Sequence, residues 1–327
     1  MGKNIYTKRQ IWLVGIGVIL LTLFCVFSSS QAHAEETNTL SIYPAIIEKT
    51  LDPGSDSSQS ITVYNKEEKA IGIRAYAQNF SASDEFGGMI FNNDTEKEFS
   101  ASEWLEIKNT NMVIAPKSKF DFLFTINIPK DAEPGGHYVT IFFEFVNPLE
   151  SSSGSKVSVS QRVGALVFIT VSGQIEEKGH VLGSNSNDKC LGVQCSFKTA
   201  KLREWGPVPF EFRFENTGNV HVKVKSKIEI YNIFGMKVGE ALVEEKTVLP
   251  NSTRFFDAKW LREPLFGRYT AKLTLNYGTL NVTERAQTSF WAIPWKGILF
   301  VFILVIFIII YKLKKRKRSS ANKNGIQ

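Results

Sequence analysis

The stretch KFDFLFTINI, residues 119–128, alternates at every position but Leu123. Phe120, Phe122, Phe124, Ile126 and Ile128 point one way, and Lys119, Asp121, Thr125 and Asn127 point the other. A period of two is the mark of a strand with one buried and one wet face. The pattern recurs on both sides. Val139, Ile141, Phe143 and Phe145 repeat it, Ile61 with Val63 and Ile71, Ile73 with Ala75 give shorter versions, and Val208 to Phe214, Val222 to Ile230 and Tyr269 to Tyr277 carry it through the second half. Turn signals separate the runs: Asp52-Pro53-Gly54, Ala115-Pro116-Lys117-Ser118, Pro134-Gly135-Gly136, Asn216-Thr217-Gly218-Asn219 and Pro250-Asn251-Ser252. Short alternating strands with such turns and no sustained helical period predict an all-β fold of two tandem immunoglobulin-like β-sandwiches. The first is expected over 35–173 and the second over 174–290, with the boundary near Gly173, where the apolar run Val163 to Val171 gives way to polar sequence. Residues 80–102, rich in Ser, Asp, Asn and Glu, read as a long loop, and Ser151 to Ser155 as another.

The two ends differ from this middle. Lys3, Lys8 and Arg9 precede an apolar run from Ile11 to Phe27, followed by Ala32-His33-Ala34, the layout of a secretory signal peptide over 1–34 with cleavage between Ala34 and Glu35. Phe24 before Cys25 argues against lipidation, because a lipoprotein signal needs a small residue there. Near the C-terminus, Gly297 to Tyr311 is free of charge. With Trp291 and Trp295 at the interface and Lys296 and Lys312 snorkelling, a transmembrane helix over 291–313 is expected. The tail 314–327 is basic and holds no acid, which predicts a cytoplasmic C-terminus and an extracytoplasmic N-terminal region at the plasma membrane.

Charge must be read by region. The whole chain carries +7, but of its 39 basic residues three lie in 1–34 and eight in 296–327, where there are no acids; the remaining 28 face 32 acids, a balance of −4. The basic surplus belongs to the ends, and no nucleic-acid partner is implied. Cys190 and Cys195, in KCLGVQC, are an even pair on an oxidising side and are expected to form a disulfide. No metal-ligand spacing, phosphate loop or nucleophile elbow is found, so the chain reads as a non-enzyme without cofactor. The Lys223, Lys225, Lys227 stripe reads as a solvated strand face, and Asn79, Asn93, Asn251 and Asn281 head glycosylation-type triplets.

One resemblance rests on Ile42-Tyr43-Pro44, Asp52-Pro53-Gly54, Ile61-Thr62-Val63-Tyr64-Asn65, Trp104-Leu105, Ala115-Pro116 and above all IPKDAEPGGHY, residues 128–138. In that order they resemble the peptidoglycan-binding domain of WxL-interacting proteins of Gram-positive cell surfaces. Leu249-Pro250-Asn251-Ser252, Trp260 and Gly267-Arg268-Tyr269 are similar to that family's partner-binding half. The resemblance implies a membrane-anchored adaptor that holds cell-wall polymer and a secreted surface protein. Asp131, His137 and Tyr138 are then candidate ligand contacts, with Trp104 either a core anchor or a sugar platform. The plain alternative is that Pro129, Pro134, Gly135 and Gly136 hold a tight connection and that Tyr138 packs as a tyrosine corner does. A second function class is an assembly factor like the periplasmic pilus chaperones, which capture a subunit by strand addition; a structural spacer is a third. An exposed apolar edge strand with a basic residue in the cleft between domains favours the chaperone reading, and a covered edge favours the adaptor. N-terminal sequencing of the protein recovered from membranes is expected to begin at Glu35; a chain that still begins at Met1 contradicts the signal peptide.

Overall fold

The computed structural model describes residues 40–91, 99–146, 161–182, 197, 199–204, 206–262 and 265–323. The expected signal peptide, Asn93 and the Cys190–Cys195 disulfide lie outside the described residues. In the first sandwich, β1 (Leu40–Tyr43), β3 (Asp56–Asn65), β8 (Lys119–Asn127) and β6 (Leu105–Glu106) form one sheet in the order β1-β3-β8-β6. The facing sheet runs β2 (Ile46–Leu51), β10 (Arg162–Val171), β9 (Gly135–Val146), β4 (Ile71–Ala82) and β5 (Met89–Phe91), with β7 (Asn111–Ile114) also on β4. The inward residues of both, among them Ile61, Val63, Phe122, Phe124, Ile126, Ile141 and Phe143, make one core. These are the alternating positions of the sequence.

The second sandwich is built on the same plan. β11 (Gly179–Leu182), β13 (Val208–Asn216) and β17 (Ser252–Trp260) form one sheet. The other runs β12 (Leu202–Arg203), β19 (Val282–Ala292), β18 (Gly267–Tyr277), β14 (Val222–Asn232) and β15 (Lys237–Leu242), with β16 (Lys246–Val248) on β14. Its core centres on Phe210, Phe212, Phe214, Phe256 and Phe290. In each sandwich the entering chain pairs first with one sheet and then crosses to the other, where it lies parallel to the last strand: β2 on β10, and β12 on β19.

A buried asparagine marks the same corner in both. Asn65 donates Nδ2–H to the carbonyls of Lys69, Ile114 and Ala115 and accepts the Glu67 amide on Oδ1. Asn216 donates to Val220 and Val248 and accepts the Gly218 amide. Both ties close onto the same turn, in which Ser118 Oγ donates to the Ala115 carbonyl and Ser252 Oγ to that of Leu249, each at 2.7 Å, and Lys117 and Asn251 take positive φ. The two halves therefore repeat one device at points where the backbone leaves its ladder, since each buried amide must be satisfied from elsewhere.

Several boundaries shift. Residues 80–102 are not one long loop: β4 runs to Ala82, a turn capped by Asp84 Oδ1 follows, and β5 returns. The second sandwich extends to Ala292, because Trp291 and Ala292 pair with β18 and β12. Helix α1 (Trp295–Lys323) therefore starts four residues later than the span read from the sequence and continues into the basic tail. Its Trp295–Leu313 portion has mean hydropathy 2.5 with nothing buried against it. Nineteen residues at 1.5 Å make about 28 Å, close to the hydrocarbon thickness. This is one helix, among the described residues, long and apolar enough to cross a membrane. Asn79 is buried, with Oδ1 accepting the amides of Ala101 and Ser102, so in the folded chain it is a cap and not a sugar acceptor.

Replacing Asn65 or Asn216 by Ala strands several buried polar groups at once, and each variant is expected to lose about 2–4 kcal/mol in denaturant unfolding of the full chain. Asn276→Ala, which removes only an exposed hydrogen bond from Thr283, is expected to change it little. Equal effects from all three contradict the role given to the corner asparagines.

Candidate functional site: a fixed elbow and its cleft

Segment IPKDAEPGGHY lies where the two sandwiches meet. Gly135 has φ +138°, a region that L side chains rarely adopt, and a Cβ there falls 2.8 Å from the Asn219 carbonyl oxygen. A Cβ on Gly136 falls 2.0 Å from the Tyr138 hydroxyl. Glycine at both positions lets the second sandwich approach backbone to backbone: the Gly136 amide donates to the Asn219 carbonyl at 2.8 Å. The Asn219 side chain completes the clamp. Its Nδ2 donates to the carbonyls of Pro134 and Gln174, and its Oδ1 accepts the Glu176 amide.

Beneath the clamp, Tyr138 joins Phe80, Phe168 and Leu249 in a small apolar cluster separate from both main cores. The Tyr138 hydroxyl accepts the His221 amide at 2.8 Å, and the His221 ring packs on Phe168 at 4.8 Å. Burial raises the Tyr138 phenol well above its ordinary value, so it stays protonated. Tyr269, at the equivalent point of the second sandwich, bonds the Phe266 carbonyl of its own domain. The tyrosine corner of the first sandwich is thus turned outward, to hold its neighbour.

A second tie lies at the β4–β5 turn. Glu85 accepts Arg213 Nε–H at 2.6 Å and Nη2–H at 2.7 Å, and its carbonyl accepts the Phe255 amide at 2.7 Å. The Phe86 ring meets Phe255 at 5.3 Å. Hydrogen bonding to the Arg213 guanidinium holds the Glu85 carboxyl below its usual range. A planar, bidentate pair of this kind is stronger than a loose surface ion pair.

The ligand contacts read from the sequence are placed as follows. Tyr138 is 1% exposed and His137 3%, so neither ring has a face open to a sugar. Tyr138 is a junction residue, while His137 is held inside the first sandwich by Ser100, Glu133 and Trp104. His137 has Nε2 at 3.0 Å from the Glu133 carbonyl, and the half-buried Trp104 meets its ring at 4.3 Å, tilted by 50°. Asp131 is exposed. Asn219 was read only as part of a turn, and His221, Glu85 and Arg213 were given no role in the sequence, because each acquires its role only from a partner many residues away.

Beside the elbow opens a cleft of about 590 Å³. One wall is β2 and β10, with Glu48, Lys49, Thr50 and Thr170; the other is β14 and the β18–β19 turn, with Lys223, Lys225 and Thr279. Lys223 reaches across to Glu48 at 2.8 Å, and Lys225 lies 3.6 Å from Glu245. Lys49 has no ion pair among the described residues. Among the described residues the strand β2 has a ladder on one side only, with β10, and no strand pairs with its other edge.

No family model matches the sequence, and no curated protein matches it. Solved structures similar to it include the class 5 fimbriae chaperone CfaA, at 15% identity over 78% of this chain and 99% of that one, TM-score 0.40. The CsuC–CsuE chaperone–tip subunit complex of Acinetobacter baumannii is 12% identical over 76% and 97%, TM-score 0.37. The E. coli chaperone DraB is 11% identical over 78% and 98%, TM-score 0.34. At these scores the functional reading rests on the chain's own geometry.

Burial holds the His221 imidazole below its ordinary value, Glu48 and Glu177 opposing this and Lys223 adding to it. The opened junction, with a solvated imidazole, binds a proton more readily, so the closed elbow is favoured at neutral pH and weakened as pH falls through about 6.5 and below. Denaturant unfolding from pH 8 to 5 is expected to show this loss in the wild type and not in His221→Gln. Tyr138→Phe, which leaves the His221 amide without its acceptor, is expected to cost about 1–3 kcal/mol at any pH. A wild type whose pH profile matches His221→Gln contradicts the burial of a neutral imidazole.

Proposed function

We propose that this chain is a membrane-tethered extracytoplasmic protein that binds an extended segment of a partner polypeptide along β2, in the cleft beside the elbow. It thereby serves as an assembly factor and not primarily as a wall-polymer adaptor. The observation that carries this reading is the pairing of an open strand edge on one wall with a lysine row on the other, held at a fixed angle by the clamp. An added strand takes its affinity from main-chain hydrogen bonds and its specificity from alternate side chains.

The two marks set out for the chaperone class divide. The edge of β10 is covered by β2 over Leu166–Val171, and β2 itself presents Glu48 and Lys49 beside Ile46 and not an apolar strip. The basic residues are in the cleft. Charges on an open edge discourage indiscriminate pairing, so β2 suits a partner of complementary charge. An acidic group on that partner finds Lys49 without competition from an internal carboxylate. The wall-polymer reading loses Tyr138 to the junction and His137 to the interior of the first sandwich, and keeps Asp131 and Trp104.

Placed at Lys49 in the full chain, a photoreactive amino acid is expected to give, in the cell's own membranes, an adduct destroyed by protease and reduced several-fold by Lys225→Glu. The crosslink should map to an extended segment of the captured chain. An adduct that resists protease and yields to a glycan hydrolase, or labelling no stronger than from Lys272 on the outer face of β18, overturns the reading.

A further inference from the structure

Register fixes which loops share the end of the second sandwich that faces away from the elbow. Asn232 stands opposite Tyr269 and Tyr269 opposite Phe290; Gly267 pairs with Ala292, Leu202 with Trp291 and Val208 with Trp260. The β14–β15 turn, and Leu261 and Phe266 beyond the ends of β17 and β18, therefore lie past the level at which β19 hands over to α1. Phe234 is 81% exposed there, Leu261 81% and Phe266 74%, with Ile233, Met236 and Trp291 also open. At the opposite end, the β18–β19 turn exposes Leu280 among the polar Thr279 and Asn281.

This exposure is built in. Asn232 Oδ1 accepts the amides of Phe234 and Met236, its carbonyl accepts that of Gly235, and Gly235 takes φ +76°, so a hydrogen-bonded turn holds the Phe234 ring outward. Apolar side chains gathered at one pole and held away from their own core mark a surface that something apolar covers. What lies next to it is α1. Only Ile293 and Pro294 separate β19 from the helix, a tether of at most about 7 Å. Lys296 Nζ, in the first turn of the helix, is bound to Glu204 of the sandwich at 2.9 Å. Lys201, Arg262 and Arg268 stand exposed at the same level, and aromatic rings interleaved with cations suit the boundary between acyl chains and phosphates.

We infer that this pole of the second sandwich is seated in the outer lipid interface, with the β14–β15 turn, Leu261 and Phe266 dipping beside the helix. The inference rests on the reading that α1 crosses the membrane. A single helix alone lets the domain lean in any direction; three points of insertion hold it upright. Eleven-residue strands at about 3.3 Å per residue then raise the cleft about 36 Å above the bilayer.

The full chain, in nanodiscs of phosphatidylcholine and phosphatidylglycerol, carries benzoylphenylalanine at position 234, 266, 280 or 300. Lipid adducts are expected at 300 in the helix, and at 234 and 266 at least tenfold above 280. Loss of adducts at 300 overturns the membrane span itself. Adducts at 300 with 234 and 266 no higher than 280 overturn the seating and leave the span intact.

Discussion

The close approach of the Asn219 peptide to Pro134-Gly135-Gly136 is the constraint on which the rest of the molecule depends. Two sandwiches joined by a chain of a few residues ordinarily move against each other. Here the backbone of one is hydrogen-bonded to the backbone of the other, and only glycine permits it. Once that contact is made, Tyr138 falls under the His221 amide, Phe168 meets the imidazole, and the β4–β5 turn reaches Arg213 and Phe255. The cleft between β2 and β14 is the space that this angle leaves open.

Both halves use the same asparagine corner and the same Pro-x-Ser turn, yet their tyrosines have diverged. Tyr269 closes on its own domain and Tyr138 on its neighbour. The divergence assigns the ends of the second sandwich different duties. One end, with Asn219 and His221, is consumed by the elbow. The other carries the exposed apolar turns and leads within two residues into α1. On the proposed reading, with a binding cleft at one end and a lipid-facing pole at the other, the fixed elbow makes the two sandwiches act as one rigid post.

Much of this was legible from residue pattern alone. Period-two alternation gave the strands because a half-buried sheet demands it, and the charge-free run before the basic tail gave the helix because hydrocarbon demands that. IPKDAEPGGHY stood out as rigid, with a tight structural connection and a sugar site both open as its role. Rigidity at a sugar site and rigidity at a domain junction need the same prolines and glycines, and the deciding partner, Asn219, lies about 80 residues away. The Glu85–Arg213 pair left no local trace for the same reason, in a stretch whose polarity reads as loop. The repeat was within reach: Asn65 and Asn216 each end an alternating run, and each is followed by a Pro-x-Ser turn, at Pro116 and at Pro250.

The central claim is that the elbow is fixed. Its most direct test is the distance between spin labels introduced, by chemistry that spares cysteine, at the exposed positions Asp121 on β8 and Lys272 on β18, in the membrane-reconstituted full chain. Pulsed dipolar spectroscopy is expected to return one narrow distance at pH 7.5, broadened when Gly135→Val forces the Asn219 carbonyl away. A distribution in the wild type already as broad as in that variant contradicts the account.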